Sequence, residues 1–296
     1  MRHGPAAVVA LAILLSAGCT PSHAPAAVSA STAASTAATP TATPSPTPVA
    51  PSTTPYRSPE DRFLLHNKIY SAGRIPAVPC KVPQIALRTQ KQVQQYANAM
   101  LVCLDRAWRP MVARAQAEYF AATVYTVKQG ARTACGPFRG KYAGFYCATN
   151  FGIYLDWQQF VEDGDRDRVY AAADLQFAFA HEFGHHVQEL VQISSYFDIR
   201  WSAATGPARL EQMRRHELQA SCFASAFLGA NQQTLDLRGV KLQDYRQAAY
   251  SGDDDAPGTP RDHGSRQSST AWAKAAFQAK SPSACDTWVA PAKRVT

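Results

Sequence analysis

The sequence has no Cys-x-x-Cys pair, no arginine-rich helical stretch, no aromatic RNA-binding motif and no calcium-loop spacing. Each absence removes a class of function. Seven cysteines without a Cys-x-x-Cys pair argue against a cysteine-built zinc site. Lysine and arginine outnumber aspartate and glutamate by 30 to 22, a net charge of +8. The basic residues are scattered, so nucleic acid is not the expected partner, whereas anionic surfaces such as lipid headgroups or wall polymers are. Asp253, Asp254 and Asp255 sit in a Gly/Pro-rich loop without the alternating oxygen spacing of a calcium loop, and read as solvated. The apolar run at residues 6–15 is too short to span a bilayer.

What the chain does carry is His181-Glu182-Phe183-Gly184-His185, inside an apolar, glycine-poor stretch at 170–191. Positions i and i+4 share a helix face, so His181 and His185 can hold one metal ion between them. Glu182 lies about 100° round from His181 and roughly 60° from His185, beside the open side of such an ion. Phe179, Phe183, Val187 and Leu190 fall on the opposite face, giving the helix an apolar back and a polar front. Two imidazoles and a carboxylate buried without partners would be costly, and a cation offsets that cost. The pattern points to the active-site helix of a zinc hydrolase, with Glu182 as general base.

Catalytic zinc takes a third protein ligand and leaves a position for water. The extended motif with a third histidine would need Gly at 188 and His at 191, where the chain has Gln188 and Val191. A glutamate on a later helix is the alternative. Glu217, in a helix expected at 207–228, is the leading candidate, with His216 and Glu189 as rivals.

At this point the chain resembles the bacterial family of putative neutral zinc metallopeptidases. The resemblance rests on Ala134-Cys135-Gly136, Gly144-Phe145-Tyr146-Cys147, Ile153-Tyr154-Leu155-Asp156, the run His181 to Gln188, the run Glu217 to Ala224, and His263-Gly264-Ser265-Arg266. It implies a gluzincin-like core in which His181, His185 and Glu217 bind Zn2+ and Glu182 is the base. It also implies that the residue four after the ligand glutamate is an aspartate bonded to a ligand histidine. Ser221 stands there instead; its hydroxyl can accept an imidazole N–H but lacks the charge. By the same resemblance, the strand ahead of the active-site helix pairs with substrate backbone. Residues 153–156 are either that edge strand or a plain core strand.

The remaining regions give the setting. Residues 1–19 read as a lipoprotein signal ending in Ser16-Ala17-Gly18-Cys19, with lipid on Cys19 and the chain anchored at the extracytoplasmic face of the cell membrane; a plain secretory leader is the alternative. Residues 20–59 are almost wholly Ala, Pro, Ser and Thr, an extended tether. Residues 60–296 are expected to form one α+β, mainly helical domain: a zincin-like metallopeptidase core with a small sheet beside the active-site helix.

Thr89 with Gln92 marks a helix start, and Val93, Tyr96, Met100, Leu104 and Trp108 follow at helical spacing; Pro110 is expected to kink or restart that helix. Residues 122–127 and 151–155 read as strands, and Asp156 as a cap on a short helix. His263 is read either as a donor to the oxyanion of the attacked carbonyl or as a loop cap. Six mature cysteines in an exported chain suggest three disulfides, Cys135–Cys147, Cys80–Cys103 and Cys222–Cys285. Together these features imply a zinc peptidase acting on peptide or protein substrates, with a non-catalytic zinc-binding envelope lipoprotein as the alternative.

Overall fold

The computed structural model describes residues 57–139, 142–252, 255, 257–258 and 260–296. The signal expected at 1–19, nearly all of the tether expected at 20–59, and Asp253 and Asp254 lie outside the described residues.

The described chain is mainly helical with a small sheet. Helix α1, Gln90–Arg114, begins where the sequence marks it: Thr89 accepts the Gln92 backbone N–H, and the Gln92 side chain reaches back to accept from Arg88 N at 3.0 Å. Its buried stripe contains Val93, Tyr96, Met100, Leu104 and Trp108. Pro110 neither ends nor restarts the helix, which continues to Arg114.

Five short strands follow: β1 (Thr123–Val127), β2 (Arg132–Thr133), β3 (Gly136–Pro137), β4 (Gly144–Cys147) and β5 (Gly152–Asp156). β2 and β3 form a hairpin, and the other three form a sheet in the order β1-β5-β4. β5 runs parallel to β1 and antiparallel to β4. Of the two readings of residues 153–156, edge strand or plain core strand, the sheet order supports the core strand. β5 is the central strand, buried at all five positions, and both its edges are paired, so it has no backbone groups left for a peptide. The edges are β1 and β4, and they differ. Gln94 of α1 accepts from Thr126 N at 2.9 Å and donates to Val124 O at 3.2 Å, while Gln90 donates to Thr126 O at 2.9 Å. Side chains thus cover the outer edge of β1, a common way of blunting an edge strand. On one sheet face Tyr125, Tyr154 and Phe145 stand in register and stack at 4.9 and 5.0 Å; Phe138, next to β3, extends the row at 5.8 Å.

Six helices complete the unit: α2 (Trp157–Arg166), α3 (Arg168–Leu190), α4 (Ile193–Ala203), α5 (Gly206–Ala230), α6 (Gly239–Ala249) and α7 (Arg266–Ala279). Asp156 and Asp167 cap α2 and α3 by accepting first-turn N–H groups. α5 is the central helix, packed between α3 and α7, and nearly every residue from Arg215 to Gly229 is buried. Two disulfides form, Cys135–Cys147 and Cys222–Cys285, the second tying α5 to the segment after α7. The expected Cys80–Cys103 bond is absent: both remain buried thiols, hydrogen-bonded neighbours, with the Cys80 sulfur also turned toward Asn231 Oδ1 at 3.9 Å. No helix among the described residues is long and apolar enough to cross a membrane.

α5 meets α7 through Gly229, where a Cβ would stand 2.2 Å from the Phe277 carbonyl oxygen. Backbone cannot yield as a flexible side chain can. Gly229→Ala should cost about 1–3 kcal/mol, the usual range for overpacking, and lower the urea midpoint; an unchanged midpoint would contradict this packing.

Candidate metal centre and active-site cleft

α3 and α5 bring three donors to one point. His181 Nε2 and His185 Nε2, one turn apart on α3, are 3.1 Å from each other. Glu217 Oε2 of α5 lies 3.2 Å from the first and 3.1 Å from the second. Among the described residues this is the one group of three or more metal-capable side chains within ligand reach, all donor atoms lying within 4.8 Å of one another. The rivals fall outside it. His216 stacks between His185, at 4.8 Å, and Phe197, at 4.2 Å, while its Nδ1 stays 3.9 Å from Glu217 Oε1. Glu189 lines the cleft farther along α3.

The closeness has a backbone cause. A Cβ on Gly184 would meet the Ala220 carbonyl oxygen at 2.7 Å and Ala220 Cα at 3.0 Å. Glycine at 184 and alanine at 220 let the two helices touch at the level of the donors, which brings a carboxylate as short as Glu217's to both rings.

The donor set asks for a cation. Burial alone would depress His185, yet the adjoining Glu217 carboxylate outweighs it and pushes the ring up to about 9. Burial likewise works to raise the Glu217 carboxyl, but His185 and His181 hold it well below the usual range. A proton thus takes up the charge between two imidazoles and a carboxylate. Two nitrogens and one carboxylate oxygen are a known ligand set for catalytic zinc, and the residues fit that ion.

Around the donors, His181 Nδ1 meets Ser221 Oγ at 2.9 Å, so the serine takes the place expected from its helical position. Glu182 is buried beside the cluster, and burial raises its carboxyl despite the opposing pull of His181 and His185. A raised carboxylate is a better base near neutral pH. β4 passes close by: a Cβ on Gly144 would stand 3.5 Å from Glu182 Cγ and collide with the Tyr154 carbonyl oxygen at 2.7 Å. These groups share a cleft of about 1180 Å³ with Phe145, Tyr146, Phe177 and Met213.

His263 reaches the same cleft. Its Nε2 is 3.8 Å from Glu217 Oε2, its Nδ1 is 2.7 Å from Asp262 Oδ1, and Tyr142 stacks on it at 5.4 Å. Gly264 makes that placement possible, with φ of +102° and space for no side chain against Leu218 of α5. A donor at Nε2 exists only as the imidazolium, because the Asp262 carboxylate takes the Nδ1 proton.

A further histidine, to which the sequence pattern assigns no role, supports the site from behind. His186, fully buried, meets the Phe120 carbonyl oxygen with Nε2 at 2.9 Å and Tyr146 OH with Nδ1 at 3.1 Å. A carbonyl can only accept, so Nε2 carries the proton and Tyr146 donates to Nδ1. The bond ties β4 to α3. Only the doubling of histidine at 185–186 hinted at it.

The model of the putative neutral zinc metallopeptidase family matches residues 66–288. The chain is similar to the uncharacterized protein YpfJ of Escherichia coli K12, 26% identical over 210 residues, 67% of this chain and 72% of that protein. It is also similar to the uncharacterized protein Rv2575 of Mycobacterium tuberculosis H37Rv, 27% identical over 234 residues, 69% of this chain and 74% of that one. No solved structure gives a significant match.

Two outcomes are expected from this geometry. Gly184→Ala should force α3 and α5 apart and weaken zinc binding in chelator competition by about 10-fold or more, comparable with loss of a supporting ligand contact; unchanged affinity would show that the helix crossing does not set the donor spacing. The second concerns Asp174, whose carboxyl burial, and then Asp163, push up to about 7. A carboxyl raised on folding binds more protons folded than unfolded, so its contribution is full near pH 4 and is lost as pH rises toward 7. Asp174→Asn should therefore raise the thermal midpoint at pH 8 and make little difference at pH 4. Equal shifts at both values would remove Asp174 as the source.

Proposed function

The chain belongs to the putative neutral zinc metallopeptidase family, and from that premise we propose that it is a zinc-dependent endopeptidase built on a zincin-like core. The observation that carries the reading is the position of Glu182, a buried carboxylate with raised proton affinity beside three convergent donors in an open cleft. His181, His185 and Glu217 would hold the ion. Zinc, when bound, supplies the Lewis acidity that makes water nucleophilic near neutral pH and polarises a carbonyl.

The chain's own residues do the rest. Glu182 takes a proton from the attacking water on its carboxylate and delivers it to the leaving amine nitrogen. His263, as an imidazolium braced by Asp262, donates from Nε2 to the oxygen that gains charge. A substrate strand lies along the outer edge of β4, the sheet edge that lines the cleft, and takes backbone hydrogen bonds there. Tyr146, held by His186, keeps that edge in place against α3.

The reading places the domain outside the cytoplasmic membrane, tethered through residues 20–59 and lipid on Cys19. Its support is the leader pattern together with two disulfides, which persist in oxidising compartments. One observation favours a second reading, a zinc-binding envelope scaffold without activity: Ser221 supports His181 with a hydroxyl where the family resemblance implies a carboxylate.

The test is zinc content and peptide cleavage on the purified full chain. Glu182→Gln should retain zinc and lower kcat/KM about 10²–10⁴-fold, the usual worth of a general acid–base residue. A variant that keeps full cleavage would remove Glu182 from the reaction. A chain carrying one zinc that cleaves nothing in a broad peptide library would favour the scaffold.

A further inference from the structure

His185 Nδ1 faces Gln188 Oε1 at 2.8 Å, one turn along α3. On its own such a contact leaves open which atom donates, because an amide can present either end. Here the surroundings decide. Gln188 Nε2 lies 2.9 Å from the His216 carbonyl oxygen and 3.0 Å from Gln219 Oε1. A backbone carbonyl accepts only, so the NH₂ end of Gln188 must face it and the oxygen must face His185.

Gln219 is fixed in the same manner and independently. Its Nε2 lies 3.0 Å from the Cys285 carbonyl oxygen and 2.8 Å from Tyr70 OH, and its Oε1 receives the Trp288 indole N–H at 3.4 Å. Tyr70 in turn donates to the Leu64 carbonyl oxygen at 3.2 Å. Every polarity in this chain is set by a group that can act in one sense only. Gln188 and Gln219 are both fully buried. Reversing either amide would press like against like where water cannot compensate.

The other ring has no such instruction. Ser221 Oγ, at His181 Nδ1, is a hydroxyl that both donates and accepts, so it does not choose a tautomer.

We propose that Gln188 and Gln219 are positioning residues: a buried amide relay anchored on the Cys285 carbonyl that keeps the proton of neutral His185 on Nδ1 and turns the Nε2 lone pair toward the ion. The relay rests on the zinc-binding part of the reading above and not on peptide cleavage. It gives the centre one pre-set ligand where Ser221 leaves the other unset. The Cys222–Cys285 disulfide, which fixes the last acceptor to α5, belongs to the same device.

The experiment uses the full chain loaded with zinc alone. Two-dimensional nitrogen–proton spectra of the wild type should show a slowly exchanging proton on His185 Nδ1 and a metal-shifted Nε2. Gln188→Met, close in shape but without the amide, should weaken zinc binding about 10–100-fold in chelator competition and abolish the protection of that proton. Gln219→Met leaves His185 and Gln188 chemically intact; it should weaken binding in the same direction and speed the exchange. A role confined to packing would lower the thermal midpoint and leave the proton where it was.

Wild-type affinity in a folded Gln188→Met chain would overturn the proposal. So would a wild-type spectrum in which His185 binds through Nδ1, a result that needs no variant to fold, and so would a chain that takes up no zinc. A chain that shows the expected signature yet cleaves no peptide refutes the peptidase reading and leaves the relay standing.

Discussion

The backbones of α3 and α5 cross at Gly184 and Ala220 with no space for another methyl group, and the rest of the site is arranged about that crossing. It brings a glutamate from one helix to within 3.2 Å of two imidazoles on the other. Once those helices touch, α5 must be buried on its other side as well. Gly229 meets α7 there, and the Cys222–Cys285 disulfide holds the segment that follows. Packing density and donor spacing are therefore one constraint, because close-packed helices transmit a shift in one contact to the next.

Charge explains why the crossing is not merely a packing motif. The centre gathers two imidazoles and two carboxylates at one wall of the cleft, Glu182 buried and His181, His185 and Glu217 partly so. Without a cation a proton is held at His185, whose affinity for it Glu217 raises. Glu182 stays outside the donor triangle, raised by burial, where it can accept and release a proton. Two carboxyls on adjoining helices thus have opposite shifts, one held low beside the rings and one pushed high by burial. Such a divergence gives the two carboxyls different proton affinities within one site.

Much of this was legible in the sequence because it depends on local spacing. The i, i+4 rule put His181 and His185 on one face, and the same rule put Ser221 above Glu217. Helical periodicity named the buried faces of α1 and α3, including Phe179 and Phe183. What stayed hidden depends on which segments meet. Strand pattern cannot separate a central strand from an edge, so residues 153–156 stood open between the two until the sheet order made them central. Cysteine counting could pair Cys222 with Cys285 but also paired Cys80 with Cys103, which remain thiols. The task of Gly184 lies in a variable position of its motif, and that of Gln219 depends on Trp288 and Cys285, far along the chain. Contacts of that range leave no periodic trace.

The central claim is that an ion is gripped by two rings from α3 and one carboxylate from α5. X-ray absorption at the zinc edge of the loaded full chain tests it most directly. The account predicts a first shell of light atoms containing two imidazoles, at about 2.0–2.1 Å for nitrogen, with no sulfur. A shell containing sulfur, or one with three or more imidazoles, would contradict it.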